Sequence, residues 1–335
     1  CDRRNNARAS TRDQQGKQKR YSFHGSTLTA IILELSTAAR LCVSVFLVST
    51  SSYSVRHFVC APDISIKRNS GTIQFCVWYR SARMPSFNAR SGEIYFQQRG
   101  ARANPPAVLI HGVGCQLVEW PDTLVDALVG AGYRAILFDH RDVGFSYEVK
   151  ADVPSTEDLF SALSDPSSIQ PPYTLGDMAN DVIDLLDHLG QSGAHIIGCS
   201  MGGMIAQLCA IEHPDRVFTL TSLMSTTSNP ALPKPSDDVI AAMAMSLQAT
   251  NGGDSAVASI HAANTHAGPY YPSSEHGIAR FIESAHVRAY RPAGSARQMA
   301  AILTAPDRSE LLRDLSMPVL AVHGEEDPLI DPCAS

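Results

Sequence analysis

No methionine occurs before Met84, and the chain opens on Cys1, so nothing upstream of Met84 is an ordinary initiation site. The eight cysteines stand singly, at 1, 42, 60, 76, 115, 199, 209 and 333, with no C-x-x-C pair and no zinc-ligand spacing. They read as free thiols of a reducing compartment, the cytoplasm. The apolar run from Leu41 to Val48 falls well short of the ~20 residues a spanning helix needs. Some forty residues precede it where a secretory leader has only a short charged stretch. No membrane association is expected. A phosphate-loop lysine is missing, as is a G-x-G-x-x-G run followed by a ribose-binding acid, which leaves no nucleotide cofactor to expect. Positive charge is not in excess either: 27 basic residues face 33 acidic ones, a net of −6, so no nucleic-acid partner is expected.

What is present divides sharply. The 335 residues, 44% hydrophobic and 18% charged, suffice for one large core and a smaller attached element. Residues 1–83 hold 13 basic and 4 acidic residues; residues 84–335 hold 14 and 29. The first segment lacks a sustained period of 3.6 or 2 and carries basic runs such as Lys17-Gln18-Lys19-Arg20. It reads as an extension, disordered or not native to the protein: a translated upstream region, or a basic targeting segment.

From Met84 strand and helix signals alternate, which implies a mostly parallel sheet with helices on both faces. Strands are expected over 93–97, 107–110, 134–139, 194–198, 217–223 and 318–322. Helices are expected from Trp120-Pro121-Asp122, over 175–189 behind a Thr174/Asp177 capping box, and over 201–213 up to Pro214. The expected domains are an α/β core over 84–228, a helical cap over 229–313 and the core resumed over 314–335.

Gly198-Cys199-Ser200-Met201-Gly202 lies between an apolar strand and a helix. A serine in so sharp a turn lifts its hydroxyl above the sheet, and glycines two residues to either side let strand and helix approach. Ser200 is thus the candidate nucleophile. The Met201 amide, at the helix start, is placed to bind developing negative charge. A second donor is needed, and the Val113 amide in His111-Gly112-Val113-Gly114, after an earlier strand, can supply it. Asp327 in Val322-His323-Gly324-Glu325-Glu326-Asp327 ends a further strand on the same carboxyl edge and is the candidate orienting acid. No metal site is expected.

In order, Ile110 to Gly114, Phe138 to Ser146, Gly198 to Gly203 and Val322 to Asp327 resemble the markers of the α/β-hydrolase superfamily, in its capped esterase-like branch. Met201 to Gln207 and Ser222 to Thr227 resemble members related to polyketide methylesterases. The resemblance implies a cofactor-independent serine hydrolase acting on a small apolar ester. Carbon–carbon bond hydrolysis, perhydrolysis or a non-catalytic binding role are its alternatives. It implies that Asp139 and Arg141 stabilise their loop, where Asp142 takes a place more usual for glycine, and that cap residues such as Tyr270, Tyr271 and Phe281 shape the pocket. It also implies a histidine after one more strand. No histidine lies beyond 323, so the triad histidine, the last strand and the last helix are expected to be absent and the chain as it stands inactive.

Overall fold

The computed structural model describes the backbone of four strands within residues 29–77, residues 85–248 (side chains to 242), residues 285, 288 and 289, and residues 291–335. By its contacts the chain divides between Arg83 and Met84. In the first unit β1 (Thr29–Thr37) pairs antiparallel with β2 (Arg40–Val48), and β3 (Ile64–Asn69) pairs antiparallel with β4 (Thr72–Val77).

The second unit is built on seven strands. They are β5 (Ser86–Ala89), β6 (Gly92–Arg99), β7 (Pro106–Ile110), β8 (Arg134–Phe138), β9 (Ala194–Cys199), β10 (Val217–Leu223) and β11 (Val319–Val322), in the order β11-β10-β9-β7-β8-β6-β5. From β11 to β8 every pairing is parallel; β6 and β5 add antiparallel. This is the α/β-hydrolase architecture. Side-chain alternation divides the core between the two faces. Leu109, Leu137 and Tyr95 pack against helix α1 (Asp122–Gly130). Val108, Ile110, Ile136, Phe138 and Ile196 pack against α3 (Leu175–His188) and α4 (Met201–Glu212). The Thr174 capping box forms as expected, its hydroxyl accepting from the Asp177 N–H and the Asp177 carboxylate accepting from the Thr174 N–H. Pro121 precedes α1 as its capping residue, one place before the first turn.

Strands β1 to β4 escape the sequence reading, which found no strand period in residues 1–83, and so do strand β5 and helix α2 (Thr156–Ser164) of the second unit. Of the expected cap, α5 (Asp237–Gln248), α6 (Pro292–Leu303) and α7 (Ser309–Arg313) are described; 249–284, with Tyr270, Tyr271, Phe281, His261, His266 and His276, lie outside the described residues. Helix α6 lies on the core itself: Ala296, Met299 and Ala300 bury against Leu159 of α2. Strand β11 is the outer strand of the sheet, and all four of its residues are exposed.

Candidate active site

The turn between β9 and α4 holds Ser200 at φ 54° and ψ −122°, in the positive-φ region that side chains other than glycine seldom enter. Hydrogen bonds fix it from both sides. Its N–H donates to the Leu223 carbonyl (2.9 Å), and its carbonyl accepts from the Gly203 N–H (2.8 Å) and the Ser225 hydroxyl (2.8 Å). Glycines make the crossing possible. A methyl on Gly198 would lie 2.1 Å from the Gly202 oxygen, and one on Gly202 would lie 2.0 Å from the Ile110 oxygen. Ser200 is half-buried, and its hydroxyl has no hydrogen-bond partner among the described residues.

The loop after β7 runs directly over this serine. A Cβ on Gly112 would sit 3.4 Å from the Ser200 Cβ. Val113 follows, so its amide and that of Met201 both border the serine turn, and neither N–H has an acceptor among the described residues. Two backbone N–H groups without acceptors beside a serine hydroxyl are the arrangement that stabilising an oxyanion would need.

Asp327 follows β11, whose Val322 pairs with Leu223, next to the serine turn. Its Oδ1 accepts from the Leu329 and Ile330 N–H groups (2.9 and 3.0 Å), which settles the carboxylate's orientation. Its Oδ2 stands 3.2 Å from His323 Nε2, and that nitrogen also lies 2.8 Å from the Ile330 carbonyl. Burial first, then the Asp327 charge, push the Cys199 thiol up to about 11. No described histidine bonds to Ser200. Among the described residues no cluster of His, Cys, Asp and Glu could hold a metal.

A buried polar network lies under the loop after β8. Asp139, fully buried, accepts from the Leu117 and Phe145 N–H groups and pairs with Arg288 at 2.7 Å. Arg141 pairs with Asp181 at 2.8 Å. Asp142, at φ 69°, is held by Arg297 Nε and Nη2 (2.9 and 2.8 Å), by the Tyr173 hydroxyl (2.8 Å) and by the Val149 N–H (2.7 Å). Those bonds offset a backbone conformation that glycine would adopt more easily. Arg288, Arg297 and Gln298 are the functional neighbours that sequence reasoning missed. The one signal they offered was polar residues within an otherwise apolar helical stretch.

Burial also sets the charge of this region. It holds the Glu119 carboxyl up near 7, and it lowers the His111 and His140 imidazoles to about 4. His140 is 1% exposed and donates from Nε2 to the His111 carbonyl at 3.0 Å. Because its folded value lies below the unfolded 6.5, the stability it confers is complete above pH 6.5 and is lost as pH falls toward 4. A shift of that size corresponds to about 3 kcal/mol. His140→Gln keeps a donor for His111 but cannot take up the proton, so urea melts at pH 7 and pH 4 should differ by about 3 kcal/mol less than in the parent. An unchanged difference would mean that the proton uptake destabilising the fold lies elsewhere.

A family model described as the alpha/beta hydrolase fold matches residues 105–335. The rhodomycin D methylesterase of Streptomyces peucetius is 34% identical over 131 residues, 39% of this chain and 38% of that protein. The 2-hydroxy-6-oxononadienedioate/2-hydroxy-6-oxononatrienedioate hydrolase of Burkholderia vietnamiensis is 30% identical over 150 residues, 44% of this chain and 45% of the relative. The chain thus spans less than half the length of these curated relatives. Among solved structures, an esterase from Rhodococcus sp. superposes with a TM-score of 0.55 at 23% identity, covering 74% of this chain and 82% of its own.

Proposed function

The chain belongs to the alpha/beta hydrolase family, and from that premise we propose that the protein hydrolyses a carboxylic ester or related acyl bond of a small molecule through an acyl-enzyme on Ser200. The observation that carries this reading is the serine held at φ 54° between strand and helix, with a free hydroxyl and the Gly112–Val113 loop over it. In this reading Ser200 Oγ attacks the carbonyl carbon while a histidine base takes its proton. The Val113 and Met201 amides hold the oxyanion. The tetrahedral intermediate collapses, the histidine returns the proton to the departing alcohol, and water activated by the same base releases the acid. Asp327 orients that histidine and stabilises its protonated form.

The methylesterase relatives support a methyl ester as substrate. A carbon–carbon bond hydrolase is the second reading, favoured by the Burkholderia relative. The free thiols of Cys115, Cys199 and Cys209 support a cytoplasmic setting. No described helix is long and apolar enough to cross a membrane. The test is covalent labelling of the full-length protein with a fluorophosphonate. Mass spectrometry should find the adduct on Ser200; an adduct on another serine, with Ser200 unmodified, overturns the assignment.

A further inference from the structure

We propose that Gln298 is a positioning residue for the oxyanion loop, acting on the Val113 amide through the neighbouring peptide; this rests on the reading of Val113 as an oxyanion donor. Each peptide unit is planar, so the Val113 N–H turns as one body with the Gly112 carbonyl. That unit is held by a bond from the Cys115 N–H to the Gly112 carbonyl, at 3.3 Å, long for a backbone hydrogen bond. The next unit, the Val113 carbonyl with the Gly114 N–H, has the firmer hold: the Gly114 N–H donates to Gln298 Oε1 at 2.8 Å. Only the two torsions of Val113 separate the units, so fixing the second limits the first.

Gln298 is suited to this task. Its side chain is fully buried, and Nε2 donates to the Arg141 carbonyl at 3.0 Å, so a flipped amide would set donor against donor and acceptor against acceptor. The helix that carries it, α6, cannot drift from the loops. Gly294 lies so close to the Asp142 backbone that a Cβ would be 2.1 Å from the Asp142 oxygen, and Arg297 grips the Asp142 carboxylate with two nitrogens. Ser295 packs on Gly114, where a Cβ would lie 2.6 Å from the Ser295 hydroxyl oxygen. Gln298 therefore joins the loop after β7 to the loop after β8 from a single rigid support.

Oxyanion donors act only when aimed at the position the oxygen will occupy, and losing one costs on the order of 10²–10³ in kcat. In the full-length protein, Gln298→Met should lower kcat on p-nitrophenyl acetate about 10–100-fold with KM changed less than about threefold. Gln298→Glu, kept neutral by its burial, retains an acceptor for the Gly114 N–H and an O–H donor for the Arg141 carbonyl, and should recover kcat to within about fivefold of the parent. A Gln298→Met enzyme within twofold of the parent, or Met and Glu variants that lose kcat equally, would overturn the assignment. Hydrogen exchange separates this from a failure of the ester reading. If Ser200→Ala turns over the ester as fast as the parent, the ester reading falls, and Gly114 amide exchange decides the loop contact alone. Exchange at least about tenfold faster in the Met variant than in the Glu variant supports the contact; equal rates remove it.

Discussion

Ser200→Ala should lower turnover of short p-nitrophenyl esters on the order of 10⁴–10⁶-fold, while leaving the melting temperature within a few degrees of the parent. The size follows from the division of labour in the proposed site. Without the hydroxyl no acyl-enzyme forms, and only the contribution of the Val113 and Met201 amides and of substrate binding remains. Stability should hold because the bonds that fix the turn are made by the backbone of residue 200, its N–H to Leu223 and its carbonyl to Gly203 and Ser225, and alanine keeps them. Turnover within tenfold of the parent would exclude Ser200 as nucleophile.

Gly202→Ala should act on the opposite property. A methyl there would meet the Ile110 oxygen at 2.0 Å and the His111 oxygen at 2.7 Å, backbone atoms of the last residue of β7 and of the first residue of the loop that covers Ser200. Neither can swing aside as the end of a side chain would, so helix α4 must lift from β7 or the turn must distort. We expect a loss of about 3 kcal/mol or more, a large share of the ~5–15 kcal/mol that holds a typical domain together. The midpoint should drop about 6–12 °C by calorimetry. Gly130→Ala is the control: it lies at the end of α1 with nothing within 4 Å of the added methyl, and it should be neutral or slightly stabilising. Equal midpoints for the two variants would show that the strand–helix crossing tolerates the extra bulk.

How much of this was legible in the sequence depended on the range of the interaction concerned. Thr174 with Asp177 is a local signal, and the capping box forms where it was expected. Val217–Leu223, rich in β-branched residues after Pro214, was expected as a strand, and the strand has those limits. Strand β5 was missed because four residues, Ser86–Ala89, are too few to establish a period, and the antiparallel pairing with β6 defines them. Helix α2 was readable in principle, since Ser155 and Asp158 form a capping box of the same kind as Thr174 and Asp177. The serine turn was visible because its glycines are contiguous with it. The supports of the loops were not: Arg297 reaches Asp142 across 155 positions, and Gln298 reaches Gly114 across 184. No pattern of spacing announces such pairs. Helix α6 reads as part of a cap by its place in the chain, and only packing reveals that its buried side chains brace the loop over Ser200.

The backbone angle at Ser200 also constrains descent. Threonine carries the same nucleophilic hydroxyl and is serine's nearest chemical relative, but branching at Cβ makes a φ near 54° a steric outlier for it. Cysteine has serine's branching and a more acidic proton, so the turn admits it on equal steric terms. The crossing of β9 and α4 thus works as a filter on ancestry. A lineage with this elbow can exchange oxygen for sulfur at position 200 without added steric strain, whereas the exchange that alters the chemistry least leads through a protein whose turn is strained.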